Sequence, residues 1–328
     1  MFKDHNDRKD NSITSATASR RNLLLGSAAA IAGAGATLAS TSVQAKPIAS
    51  AMPRTSYVTM KDGAQVYFKD WGTGPVVMFG HGWPLSSDAW EDQMLFLASN
   101  GYRCVAYDRR GHGRSTQTWE GNTYDNFADD LATLVKTLGI TKATFVGHSM
   151  GGGEVARYLG KHGSANASKA ILISAVTPLM LKTPANPEGT PMSAFDGIRA
   201  GLQADRAQFY KDLTTPFFGF NRAGIKDSQG RRDTFTALGM QSSLRSSYEC
   251  VKQFSETDFT EDLKKMTLPT LVIHGDDDQI VPIAASANNA IKLLKNGRLE
   301  VYKGASHAIP QMNKDKLNAD LLAFLKQA

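Results

Sequence analysis

The chain has 328 residues, 41% hydrophobic and 21% charged, with 37 Lys+Arg against 31 Asp+Glu for a net charge of +6. That balance is the one expected of a soluble globular protein with a substantial core. The basic excess forms no stripe and is not interleaved with aromatics, so nucleic-acid binding finds no support.

The first 45 residues read as a signal rather than as part of the fold. Ser19-Arg20-Arg21-Asn22-Leu23-Leu24-Leu25 is a twin-arginine signature, followed by a weakly apolar Ala/Gly-rich stretch to about residue 40. Val43-Gln44-Ala45 then places small residues at the −3 and −1 positions of a cleavage site. A membrane anchor is the alternative, but the apolar run is short and Gly26, Gly33 and Gly35 interrupt it. The expectation is therefore removal of 1–45 and a periplasmic or secreted protein. Taking away five basic and three acidic residues leaves the mature chain at +4. Nothing after residue 45 is long and apolar enough to span a membrane. Twin-arginine export carries folded proteins, so folding takes place in a reducing cytoplasm. Cys104 and Cys250, the only cysteines, are expected to stay unpaired, and neither has metal-ligand spacing.

From residue 55 short β-rich runs alternate with helical periodicity. Lys61-Asp62-Gly63 turns a hairpin between strands near 58–59 and 64–70. A buried strand over 75–80 leads into His81-Gly82-Trp83-Pro84. Helical spacing of Trp90, Met94, Leu95 and Leu97 precedes a strand over 104–107 and a polar glycine loop over 108–115. A helix over 124–138 turns Phe127, Leu131, Leu134 and Val135 to one face. Strands over 144–148 and 170–174 flank a helix over 154–161. The alternation then breaks, and residues 177–260, with prolines at 178, 184, 187, 191 and 216, read as a helical insertion. The core resumes with a strand over 270–274, a helix over 284–294, a strand over 299–302 and a last helix over 314–325. This pattern predicts an α/β fold, with a mostly parallel sheet between helices. It makes 46–328 a single domain whose cap sits over the sheet's C-terminal edge, where such sheets bind ligands.

Gly147-His148-Ser149-Met150-Gly151, between a strand and a helix, has the order of a nucleophile elbow. The turn is so tight that positions 147 and 151 exclude side chains, and it lifts the Ser149 hydroxyl toward a helix N-terminus. A serine needs a base, and the base needs an acid to fix its tautomer. Of the three histidines downstream, His162 ends a helix and His274 closes a strand. His307 lies in a short loop after the final strand, the position of the base. The acid comes from the loop holding Asp276, Asp277 and Asp278, among which bare chemistry does not choose, although like charges keep all three from facing inward. The amide of Met150 is one oxyanion donor. The second comes from the loop at 81–84, where Pro84 has no N–H and Trp83 is the natural donor.

These residues resemble the α/β-hydrolase superfamily. Within it the match is close to the bacterial cofactor-free (non-haem) chloroperoxidases, also called perhydrolases or arylesterase-like hydrolases, and it extends over 55–325. It rests on His81-Gly82-Trp83-Pro84-Leu85, on Tyr107-Asp108-Arg109-Arg110-Gly111-His112-Gly113-Arg114-Ser115 and on Gly147-His148-Ser149-Met150-Gly151-Gly152-Gly153. Cap segments such as Phe217-Phe218-Gly219-Phe220-Asn221-Arg222 and the stretch His274-Gly275-Asp276-Asp277-Asp278 agree as well. The resemblance implies Asp278 as the acid and Trp83 and Met150 as the oxyanion donors, with no haem, metal or flavin. It also implies two activities: ester hydrolysis, and formation of a peracid from a short carboxylic acid and hydrogen peroxide, the peracid then oxidising halide. Two departures are Ser306-His307-Ala308, where the family more often has Pro-His-Gly, and the twin-arginine signal. Pro84, Phe217, Phe218 and Phe220 are candidate walls of a small apolar acyl pocket. The competing readings are a plain carboxylesterase, arylesterase or lactonase, and a non-catalytic ligand-binding protein on the same fold. The oligomeric state, a homo-oligomer included, is left open.

Overall fold

The computed structural model describes residues 56–327, so the expected signal at 1–45 lies outside the described residues. Eight strands form one sheet: β1 (Tyr57–Thr59), β2 (Gln65–Trp71), β3 (Val76–Gly80), β4 (Arg103–Tyr107), β5 (Ala143–His148), β6 (Ala167–Ile173), β7 (Thr270–Gly275) and β8 (Gly297–Tyr302). Their order is β1-β2-β4-β3-β5-β6-β7-β8. The β1–β2 hairpin turns at Lys61-Asp62-Gly63, as the Asp-Gly pair predicts, with Gly63 at φ 87°. β2 runs antiparallel to β4, and every later pairing is parallel. Parallel strands need crossovers, which is why helices separate them in the sequence.

The central strands are apolar on both faces, and the period of two sorts their side chains between two cores. Val77 and Phe79 enter one cluster with Met94 and Leu97 of α1 (Glu91–Ser99). Met78 enters the other with Phe127 and Leu131 of α2 (Tyr124–Thr137) and Val155 of α3 (Met150–His162). Each fully buried side chain of this size contributes about 1.5–3 kcal/mol. Cys104 and Cys250 are buried and unpaired, and burial pushes both thiols up to about 12, so they act as small hydrophobes.

Between β6 and β7 lie α4 (Met192–Phe218), α5 (Gln229–Met240), α6 (Leu244–Glu256) and α7 (Thr260–Lys265). α4 is two helices across a kink. Asp205 leaves the helical region (φ −156°, ψ 93°) and its carboxylate accepts from Gln208 N at 2.9 Å, capping the second half. The chain closes with α8 (Ala287–Leu293), β8, α9 (Ile309–Met312) and α10 (Lys314–Leu325). Among the described residues no helix is long and apolar enough to cross a membrane.

Candidate active site

Parallel pairing puts the C-terminal ends of β3, β5, β7 and β8 on one edge of the sheet, and the predicted site residues follow these strands. Ser149 follows β5 directly and sits at φ 55°, ψ −120°, a left-handed conformation that a serine holds only under local constraint. Two close approaches explain the glycines beside it. A Cβ on Gly147 would stand 2.3 Å from Gly151 O, and one on Gly151 would stand 2.2 Å from Gly80 O. Ser149 N donates to Ile173 O at 2.9 Å, tying the turn to β6.

Asp278 and His307 are brought together. His307 Nδ1 lies 2.7 Å from Asp278 Oδ2, and the other carboxylate oxygen accepts from the amides of Ile280 (2.9 Å) and Val281 (2.8 Å). Burial alone would raise this carboxyl. The His307 imidazole, with hydrogen bonds from His274 and His307, outweighs it and holds Asp278 well below the ordinary carboxylate range. The aspartate run divides three ways. Asp276 accepts from Gly304 N at 2.5 Å, Asp277 pairs with Arg222 of the cap at 2.7 Å, and only Asp278 is buried. The other two histidines are held structurally. His162 pairs with Asp129 at 2.8 Å on the surface, and buried His274 meets Val281 O at 2.8 Å, 3.4 Å from Asp278 Oδ2.

Ser149 and His307 line one cavity of about 230 Å³ with Trp83, Phe195, Phe217 and Phe254. The amides of Trp83 and Met150 donate to no other group among the described residues. The 81–84 loop lies against the elbow, since a Cβ on Gly82 would stand 3.2 Å from Ser149 Cβ. Trp83 also sends its indole N–H to Ser247 O of α6 at 3.1 Å and packs edge-on to Tyr210.

Of the expected pocket walls, Phe217 lines the cavity and meets the His307 ring edge-on at 5.2 Å between centroids. The other three do not line it. Phe218 faces a surface groove of about 800 Å³ on the other side of Phe217 that holds none of the Ser149, Asp278 or His307 side chains. Phe220 stacks on Phe218 at 5.1 Å beneath the Arg232 guanidinium. Pro84 points at α5, its Cγ 3.2 Å from where a Gly239 Cβ would be. Consecutive residues at a helix end diverge in direction, so one aromatic run cannot serve one wall.

Sequence reasoning missed a buried network behind the 81–84 loop. Arg109 pairs with Glu154 of α3 (Nε–Oε2 2.7 Å), donates through Nη2 to His81 O at 2.8 Å, and gives its backbone N–H to His81 Nε2 at 2.9 Å. Tyr107 OH donates to the other Glu154 oxygen at 2.8 Å. Together these bonds lock the strand end that presents Trp83 to the helix that follows Ser149. The only sequence signal was charged residues inside apolar, glycine-rich stretches, which is weak. Among the described residues no group of three or more His, Cys, Asp or Glu is placed to hold a metal ion.

The chain belongs to the α/β-hydrolase family, since residues 75–310 match the family described as alpha/beta hydrolase fold. Within that class it is 53% identical over 271 residues to a non-heme haloperoxidase of Rhodococcus erythropolis, covering 82% of this chain and 99% of the relative. A bifunctional esterase/perhydrolase of Acinetobacter calcoaceticus is 49% identical over 273 residues, with the same coverage of both. A solved bromoperoxidase from Bacillus anthracis superposes with a TM-score of 0.78 at 37% identity, covering 80% of this chain and 96% of that one. The resemblance read from the elbow and loop motifs therefore holds.

Proposed function

We propose that this chain is a serine-dependent acyl-transfer enzyme that hydrolyses esters and, given hydrogen peroxide and a short carboxylic acid, makes a peracid. The observation that carries the reading is that His307, held by buried Asp278, opens with Ser149 into one small cavity. Asp278 fixes the proton on His307 Nδ1, leaving Nε2 to take the Ser149 proton. Ser149 attacks the carbonyl, and the oxyanion falls to the Trp83 and Met150 amides, each such donor being worth about 3 kcal/mol. The leaving alcohol or water departs with the proton from His307. Water then deacylates the serine to the acid, or hydrogen peroxide deacylates it to the peracid. In solution the peracid transfers one oxygen to halide, which with a proton becomes hypohalous acid while the carboxylic acid is regenerated. The apolar lining and a volume of about 230 Å³ favour a short acyl group.

Hydrolysis of p-nitrophenyl acetate by the wild type and by Ser149→Ala tests the serine step, and equal rates would remove it. Monochlorodimedone halogenation in acetate against a non-carboxylate buffer tests the peracid route. Halogenation indifferent to the carboxylic acid would remove the peracid route, and no halogenation in either buffer would leave a plain esterase. We also read Arg20-Arg21 and Val43-Gln44-Ala45 as directing export by the twin-arginine route. Cell fractionation of the wild type and of an Arg20→Lys/Arg21→Lys variant tests this, with retention of the variant in the cytoplasm as the expected result.

A further inference from the structure

His148 occupies the variable position of the elbow, next to the serine, and nothing in the acyl-transfer scheme above uses it. Its surroundings are unusually specific. The ring is buried, and its Nε2 lies 2.9 Å from the backbone oxygen of His307. That bond requires the proton on Nε2, so the imidazole is the donor and His307 O the acceptor. On its other side the ring fills the space left by Gly82, where a Cβ would stand 2.8 Å from His148 Nδ1. Trp90 and Phe217 meet it edge-on at 6.3 and 6.2 Å, and the His307 ring lies 4.9 Å away. One side chain thus touches the loops bearing the oxyanion donor and the base, and it is carried on the residue preceding the nucleophile.

We propose that His148 is a positioning residue that sets the spacing between Ser149 and His307 by holding the His307 carbonyl from the elbow itself. The base is otherwise fixed by Asp278 at its ring and by the Ala308 N–H donating to Phe217 O at 3.1 Å. Those anchors lie on the loop after β7 and on α4, and among the described residues only the His148 bond refers the base directly to the nucleophile's own turn. Burial, and then the neighbouring His307, keep the His148 imidazole neutral down to about pH 3, so it stays a one-proton donor and is not a second base.

The inference rests on the serine mechanism above, and its test keeps the two apart. His148→Phe keeps the ring and its packing but leaves the His307 carbonyl without its donor. His148→Gln restores an N–H near the Nε2 position. With p-nitrophenyl acetate, His148→Phe is expected to lose about tenfold or more in kcat at nearly unchanged KM, because sub-ångström misplacement of a reacting group costs rate rather than binding. His148→Gln should recover most of that loss. Circular dichroism and thermal melts on both variants normalise the rates to folded protein. A His148→Phe enzyme with wild-type kcat, or an equal loss in the Gln variant, would overturn the proposal. A wild type whose activity survives Ser149→Ala would overturn the serine mechanism instead.

Discussion

Replacing Asp278 with Asn tests the acid more sharply than removing it, because the side chain keeps its shape and only its hydrogen-bonding changes. One carboxylate oxygen accepts from two backbone amides at 2.9 and 2.8 Å, while the other meets His307 Nδ1 at 2.7 Å and lies 3.4 Å from His274 Nε2. The amides cannot reverse, so the Asn oxygen must face them and its NH₂ must face His307. His307 Nδ1 then has to accept, which moves the imidazole proton to Nε2, the atom that should take it from Ser149. The expected loss in kcat is about four orders of magnitude, or roughly 5 kcal/mol of transition-state stabilisation, as for an acid that leaves its histidine in the wrong tautomer. The assay is steady-state hydrolysis of p-nitrophenyl acetate, with a melt showing that the variant is folded. A kcat within tenfold of wild type would refute the assignment of Asp278 and the argument from its two amides.

The buried histidines set an acid limit on stability. His112 and His148 are held neutral to about pH 3, by burial first, against an ordinary value of 6.5. The unfolded chain binds their protons first, so their contribution is full above about pH 6.5 and drains away as pH falls toward 3, at up to about 1.4 kcal/mol per pH unit per histidine. Urea unfolding of His112→Phe at pH 7 and pH 5 should show a shallower pH slope than wild type, and an unchanged slope would count against the shift. Glu154→Leu should cost about 3 kcal/mol or more in urea unfolding, since it strands the buried Arg109 charge; a loss below 1 kcal/mol would contradict that. Gly151→Ala should cost about 3 kcal/mol and most of the esterase activity, because the new methyl meets the Gly80 carbonyl. A melt and rate matching wild type would show that the elbow tolerates a wider turn.

Much of the fold was legible because strand and helix periods and turn residues are local signals. The Asp-Gly hairpin, the elbow glycines and the last helix over Lys314–Leu325 all stand where the residues place them. The loop after the last strand does carry His307 to the aspartate run, as its place in the sequence predicts. Asp278 was not distinguishable from its two neighbours by chemistry alone, because what separates them lies far along the chain: Gly304 for Asp276, Arg222 for Asp277 and His307 for Asp278. The Arg109–Glu154–His81 network was hidden for the same reason. Phe218 faced elsewhere because consecutive helix residues diverge, and Phe220 because the chain turns at Gly219, which takes φ 72° to end α4.

The segment between β6 and β7 does more than roof the cavity. Ser247 holds the Trp83 indole, the Phe217 carbonyl receives the Ala308 amide, and Arg222 binds Asp277 next to Asp278, so each of three loops below is fastened to it. A chimera exchanging this segment for that of a more distant hydrolase would therefore disturb turnover as well as substrate range, unless those three attachment points travelled with it. Sequence drift in the insertion is coupled to the machinery beneath, and the two have to be inherited together.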